Sequence, residues 1–322
     1  MAEMNESAAI IERKKADRQK TLRNLLPLFG LIAVIVVFSI LTDGKIIKTK
    51  NLKLMLSQVY VLMTCSMGVF FIMTVGGIDF SQGSILGLSS IVFCYVSRYN
   101  IPLGILAAVI AGALMGAFNG FFYVKFRIAS FIVTICTMSL FRGLCEYLTT
   151  SGPVAALPSV TAYNTTSLKL TLTIVLLLIG YFVFTFTRFG IDLRAIGAGE
   201  TASRFSGCRP DFMKFLVYVI SGAITGFASF INVIKVGAIT GTAGSQLETQ
   251  ILIALVLGGM PISGGTKARF SNIIIGTLTY CVLEKSLPMV FPVSATQQLV
   301  KGIIFVIIVA LTLDRKALRV IK

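Results

Sequence analysis

The sequence predicts an all-α fold, a polytopic membrane protein of about ten transmembrane helices, some of them short or broken. Three observations carry this. Of 322 residues, 56% are hydrophobic and only 13% charged, whereas a soluble domain carries about 25% charged residues. Mean hydropathy is +0.89. The apolar residues also come in blocks rather than helical stripes, and a bilayer core of about 30 Å needs roughly 20 of them per helix.

Taken in order, residues 1–24 mix acids and bases around one apolar pair, Ile10-Ile11. A secretory signal would show a basic start, an apolar stretch of about 7–15 residues and a small-residue cleavage site. This segment reads instead as a basic tail, so the first span, 25–41, is expected to be retained. Further spans are expected at 54–75, 84–97, 103–122, 130–149, 170–187, 214–233, 248–260, 271–287 and 295–313, followed by a tail at 314–322. The spans at 84–97 and 248–260 are short enough to require tilting, breaking or burial by neighbours.

The net charge is +16, which fits nucleic acid, anionic lipid or topology. With an inside N-terminus, nineteen of the lysines and arginines fall in inside segments and seven in outside ones. The bias predicts both termini cytoplasmic and accounts for the charge without nucleic acid. Lys45, Lys48, Lys50 and Lys53 make the first outside loop unusually basic.

Several chemistries lack their residues. No histidine is present, which removes Ser-His-Asp and Cys-His nucleophiles and most zinc chemistry. The six cysteines are scattered without a CxxC pair, so they read as buried apolar residues and no metal site is expected. The run from Gly258 to Lys267 misses the phosphate loop, because Gly265 stands where the lysine is required.

Three stretches interrupt the spans. Thr74-Val75-Gly76-Gly77-Ile78-Asp79-Phe80-Ser81-Gln82-Gly83-Ser84 places helix breakers beside residues able to cap the next helix, Asp79, Ser81 and Ser84. It reads as a tight turn with an N-cap carboxylate and, compatibly, as a broken helix whose backbone lines a permeation path. The stretch 257–270, LGGMPISGGTKARF, repeats the style after the eighth span. In 188–213, Glu200 to Ser206 can form about two helical turns between glycines, and Pro210 suits the first position of the following helix. That short helix reads as a docking element for a soluble partner or as a solvated loop.

Ionisable groups at membrane depth are costly. Arg142 and Glu146 are spaced to pair along the fifth span. Glu248 is expected near the outer face, Glu284 and Lys285 to snorkel outward, and Asn119 to bond across a close helix contact among Gly116, Ala117 and Gly120.

GGIDFSQGSILGLSS at 76–90, FRIASFIVTICTMSLFRGL at 126–144, TRFGIDLRAIGAGETASRFSG at 187–207, FLVYVISG at 215–222, LGGMPISGG at 257–265 and QQLVKGIIFVIIV at 297–309 together resemble, in order and spacing, the permease subunits of bacterial ABC importers of the ribose/monosaccharide type. The run Gln246-Leu247-Glu248-Thr249-Gln250 departs from that family's Gly-Tyr-Glu-Leu-Asp, and the outside loop at 150–169 is shorter than in many relatives.

The resemblance implies a cobalamin-importer-like (type II) permease in the inner membrane, paired with a second copy or paralogue. It implies cytoplasmic ATPases that use ATP and Mg, and an extracytoplasmic sugar-binding protein. No cofactor is expected on this chain and no catalysis by it. The substrate would be a ribose-like sugar, with an autoinducer-2-type furanose, a nucleoside or a branched-chain amino acid as alternatives, and an ion-coupled carrier as the rival class. Loop 188–213 would couple to the ATPase through Gly199, Glu200, Thr201, Ala202, Arg204, Ser206 and Gly207. Expected pathway residues are Gly76, Gly77, Asp79, Ser81, Gln82, Asn119, Glu248 and Gln250.

Overall fold

A computed structural model describes residues 25–312. The tails expected at 1–24 and 314–322 lie outside the described residues. The chain forms α1 (Leu25–Leu41), a 3-10 turn at Lys45–Ile47, α2 (Thr49–Thr74), α3 (Gln82–Val96), α4 (Ile101–Lys125) and α5 (Ser130–Leu148). Then come β1 (Val154–Ala155), α6 (Pro158–Thr161), α7 (Thr166–Phe186), α8 (Arg188–Ala198), α9 (Glu200–Phe205) and α10 (Pro210–Val236). β2 (Ala238–Ile239), α11 (Leu247–Leu257), α12 (Ser271–Val290) and α13 (Ser294–Thr312) complete it.

The protein is an all-α polytopic membrane protein. Ten of these helices overlap the ten expected spans. Six of them, α2, α4, α5, α7, α10 and α12, are long and apolar enough to cross a membrane; α1, α3, α11 and α13 are shorter apolar helices. α2 and α10 are the most enclosed of the long helices, whereas α4, α5 and α7 turn large apolar side chains such as Leu114, Phe182 and Phe186 outward. In lipid that exposure carries no penalty, so only the central helices need to be covered on every side.

What draws α4 and α10 together is the absence of side chains. The two run antiparallel in the most extensive helix contact of the bundle. A methyl group at Gly112 would collide with the Gly222 carbonyl, one at Gly116 with the Tyr218 carbonyl, and one at Gly226 with the Ala108 carbonyl. Small residues at regular spacing let membrane helices approach backbone to backbone.

Two features differ from the sequence reading. The stretch 188–198, expected as loop, is helix: Leu193 and Ile196 are buried on one face, so tertiary packing overrides the glycines that punctuate it. The loop after α5 is not wholly irregular either, since Val154 and Ala155 pair antiparallel with Ile239 and Ala238.

Candidate permeation and coupling site

Residues 75–81, between α2 and α3, are not helical, and their amides must find partners inside an apolar bundle. Ile78 N–H donates to Ser130 Oγ and Phe80 N–H to Thr134 Oγ1, both at 3.1 Å. Both acceptors sit at the start of α5. Gly76 has φ +82, a conformation that strains any side chain.

Asp79 is 1% exposed. Its Oδ1 accepts from Ser81 N–H at 2.7 Å and Ser81 Oγ at 2.6 Å, and its Oδ2 from Gln82 Nε2 at 2.6 Å. The carboxylate thus closes an Asx-type turn just ahead of α3, where the helix dipole also favours it. Gln82 Nε2 also donates to Ser221 Oγ at 3.0 Å, and its Oε1 accepts from Thr225 Oγ1. Asn119 Nδ2 donates to Ser81 Oγ at 2.7 Å, the interhelical bond expected of it. Asp79, Ser81, Gln82 and Asn119 therefore meet in one buried network spanning α3, α4 and α10.

α11 also begins inside the bundle. A methyl group at Gly83 would strike Glu248 Oε2 and the Gly244 carbonyl, and one at Gly244 would strike the Gly83 carbonyl. The starts of α3 and α11 consequently touch, with Asp79 and Glu248 as the carboxylates beside two helix N-termini. Glu248, expected near the outer face, is 8% exposed. The loop before α11 lays its backbone against α3 and α5: methyl groups at Gly83 and Gly87 would strike the Gly244 and Ala243 carbonyls, and one at Gly241 would meet Glu146.

Gln250 lines a cavity of about 180 Å³ between α2, α10, α11 and α12, together with Gln58, Asn232, Lys235, Ser245, Tyr280 and Glu284. Glu284 does not snorkel freely: it accepts from Tyr280 at 3.0 Å and pairs with Lys301 of α13 at 2.5 Å. Arg142 likewise departs from expectation. Its guanidinium donates to the Gly241 and Ala243 carbonyls rather than pairing with Glu146, because the loop before α11 offers carbonyls that need donors.

At the opposite end, α8 and α9 form a knuckle against the start of α10, with Pro210 at its first helical turn. Glu200 pairs with Lys214 at 2.5 Å, and Arg204 with Asp211 at 3.3 Å and with Glu200 at 3.5 Å. A hollow of about 460 Å³ lies beside Tyr123, Arg127, Glu200, Thr201, Arg204 and Lys214. Ser206 Oγ donates to the Ala202 carbonyl at 3.1 Å, Gly207 turns the chain at φ +88, and Phe205 stands 89% exposed. A methyl group at Gly197 would collide with the Thr74 carbonyl and with Gly265 N. α8 and both glycine-rich turns thereby converge on the last residue of α2.

A family profile described as branched-chain amino acid transport system / permease component matches residues 51–309. The chain belongs to this permease family. It is 32% identical over 318 residues to the ribose import permease protein RbsC of Bacillus subtilis, covering 95% of this chain and 97% of that one. It is 28% identical to the D-allose transport system permease protein AlsC of Escherichia coli, covering 89% and 90%. It is 26% identical to the L-arabinose ABC transporter permease protein AraH of Azospirillum brasilense, covering 85% and 84%. No solved structure matches.

As a permease component the chain is a transport subunit, not an enzyme. Among the described residues no cluster of three His, Cys, Asp or Glu could hold a metal. The permease core uses residues that the sequence reading passed over: Ser130, Thr134, Ser221 and Thr225. Ser221, Thr225 and Ser229 recur every fourth residue on α10, each followed or preceded within one turn by glycine; that stripe marks a polar face inside an apolar helix.

Proposed function

We propose that this chain is the membrane subunit of an ATP-driven importer for a ribose-like monosaccharide. The observation that carries the reading is near full-length similarity to permeases named for ribose, allose and arabinose. In this reading two copies, or one copy and a paralogue, enclose the route in the inner membrane. The ends of the chain and loop 188–213 face the cytoplasm, residues 25–313 form the membrane domain, and a binding protein delivers the sugar to the opposite side.

The α8–α9 knuckle is the docking element for the ATPase, with Gly199 and Gly207 bounding it and Glu200, Thr201, Ala202, Arg204 and Ser206 presenting it. A helix held by ion pairs transmits motion, whereas a loose loop absorbs it. Asp79, Ser81, Gln82, Asn119 and Glu248 hold the two broken helices at the route, with Gly76 and Gly77 as the pivot. ATP and Mg act in the partner, and this chain binds no cofactor.

The test is uptake into liposomes holding the permease, its ATPase and its binding protein, offered ribose, allose or arabinose. Uptake should require ATP and persist when ion gradients are collapsed. Uptake driven by an ion gradient without ATP would overturn the reading in favour of a secondary carrier.

A further inference from the structure

Two carboxamides and an ammonium group line the cavity beside α11 with no protein partner. The side chains of Gln58, Gln250 and Lys235 make no hydrogen bond or ion pair among the described residues, and Asn232 makes one, a 3.4 Å donation to Ser90. These side chains are half-buried rather than closed off, so water or a ligand entering the cavity can meet their polar heads. A carboxamide offers two donors and an acceptor, an ammonium three donors. Together they match a molecule dense in neutral hydroxyls, each of which both gives and takes a hydrogen bond.

The space fits as well. About 180 Å³ exceeds what one or two waters fill and admits a single small sugar. Tyr280 and Leu62 supply apolar wall for the C–H face of such a ring, while the nearby acid, Glu284, is already held by Lys301. The cavity lies in the half of the bundle away from Thr74, since Gln58 is early on α2 and Lys235 late on α10. Its floor is Leu86, Gly244 and Leu247, where the starts of α3 and α11 touch.

We propose that this cavity is a resting site for one monosaccharide within a single permease subunit, gripped through its hydroxyls by Gln58, Asn232, Lys235 and Gln250. The site rests on the sugar-importer reading and adds where in this chain the sugar stops. Passage onward is into the route that the paired permease subunits enclose.

The experiment uses the assembled transporter in liposomes with ribose, allose and arabinose as probes. The unaltered complex is assayed first; no ATP-dependent uptake of any of the three overturns both the importer reading and this site. Given uptake, Gln250→Leu and Lys235→Met should each lower it at least tenfold. ATPase assembly and the stimulation of ATP hydrolysis by loaded binding protein should stay within twofold of the unaltered complex, and Gln250→Asn should recover part of the loss. Uptake within twofold of normal in both apolar variants overturns the site alone, leaving a route that bypasses this cavity. Should a variant fail to assemble, Ser245→Cys decides: alkylation of that thiol, read by peptide mass spectrometry, should slow in excess transported sugar. An unchanged alkylation rate overturns the site.

Discussion

The Gly265 amide donates to the Thr74 carbonyl across 3.0 Å, which fastens the turn after α11 to the last residue of α2. Gly197 of α8 packs into the same corner, where a methyl group would strike both partners. We expect Gly197→Val to separate α8 from α2. Overpacking of this kind costs about 1–3 kcal/mol, so the protein should still insert. ATP hydrolysis by the assembled complex should continue while uptake falls roughly tenfold. Uptake that tracks hydrolysis normally would show that force does not pass through this corner.

Glu200 holds Lys214 and Arg204 together. Glu200→Arg sets a third cation beside them, and the knuckle should loosen. Capture of the ATPase by the tagged permease should drop at least tenfold, with membrane insertion unchanged. Normal capture together with normal uptake would remove α9 from the docking role.

Asp79 satisfies the Ser81 amide, the Ser81 hydroxyl and the Gln82 amide in a site closed to water. Asp79→Ala strands those donors, at about 1–3 kcal/mol for each buried group left unpaired. Asp79→Asn keeps an acceptor for Ser81 but turns an N–H toward Gln82, so its loss should be smaller. Thermal unfolding in detergent should rank the unaltered chain above Asn and Asn above Ala. An Ala variant as stable as the parent would mean that the network is not what holds the broken helix.

Cys208 lies outside the membrane spans and donates its thiol to Asp192 Oδ1 at 3.3 Å. That hydrogen bond to the carboxylate, with lesser contributions from burial and the negative charge, holds the thiol pKa above its ordinary value. Less thiolate is present at a given pH, so alkylation of Cys208 should need a higher pH than a free thiol. Asp192→Asn should shift the labelling profile to lower pH. An identical profile would show that the pair is not formed in solution.

Helix content was the most legible part of the sequence, because an apolar block near bilayer length satisfies its backbone in lipid by coiling into a helix. The ends were less so: α2 begins at Thr49, five residues before the expected span, whereas Pro210 opens α10 as its fixed φ and missing N–H foretold. Within the site, the meeting of Asp79, Ser81 and Gln82 follows from their closeness in the chain. Their meeting with Ser221 and Thr225, more than a hundred residues away, depends on how α3 packs against α10. The Arg142–Glu146 pairing failed for the same reason, since local spacing says nothing of a carbonyl delivered from residue 241 or 243.

The glycine-lined crossing of α4 and α10 has a mechanical consequence. Main chains that already touch have no rotamers to rearrange between them, so neither rod can slip along the other without a collision. The pair is a stator, and the strokes of a transport cycle fall to the parts hung around it.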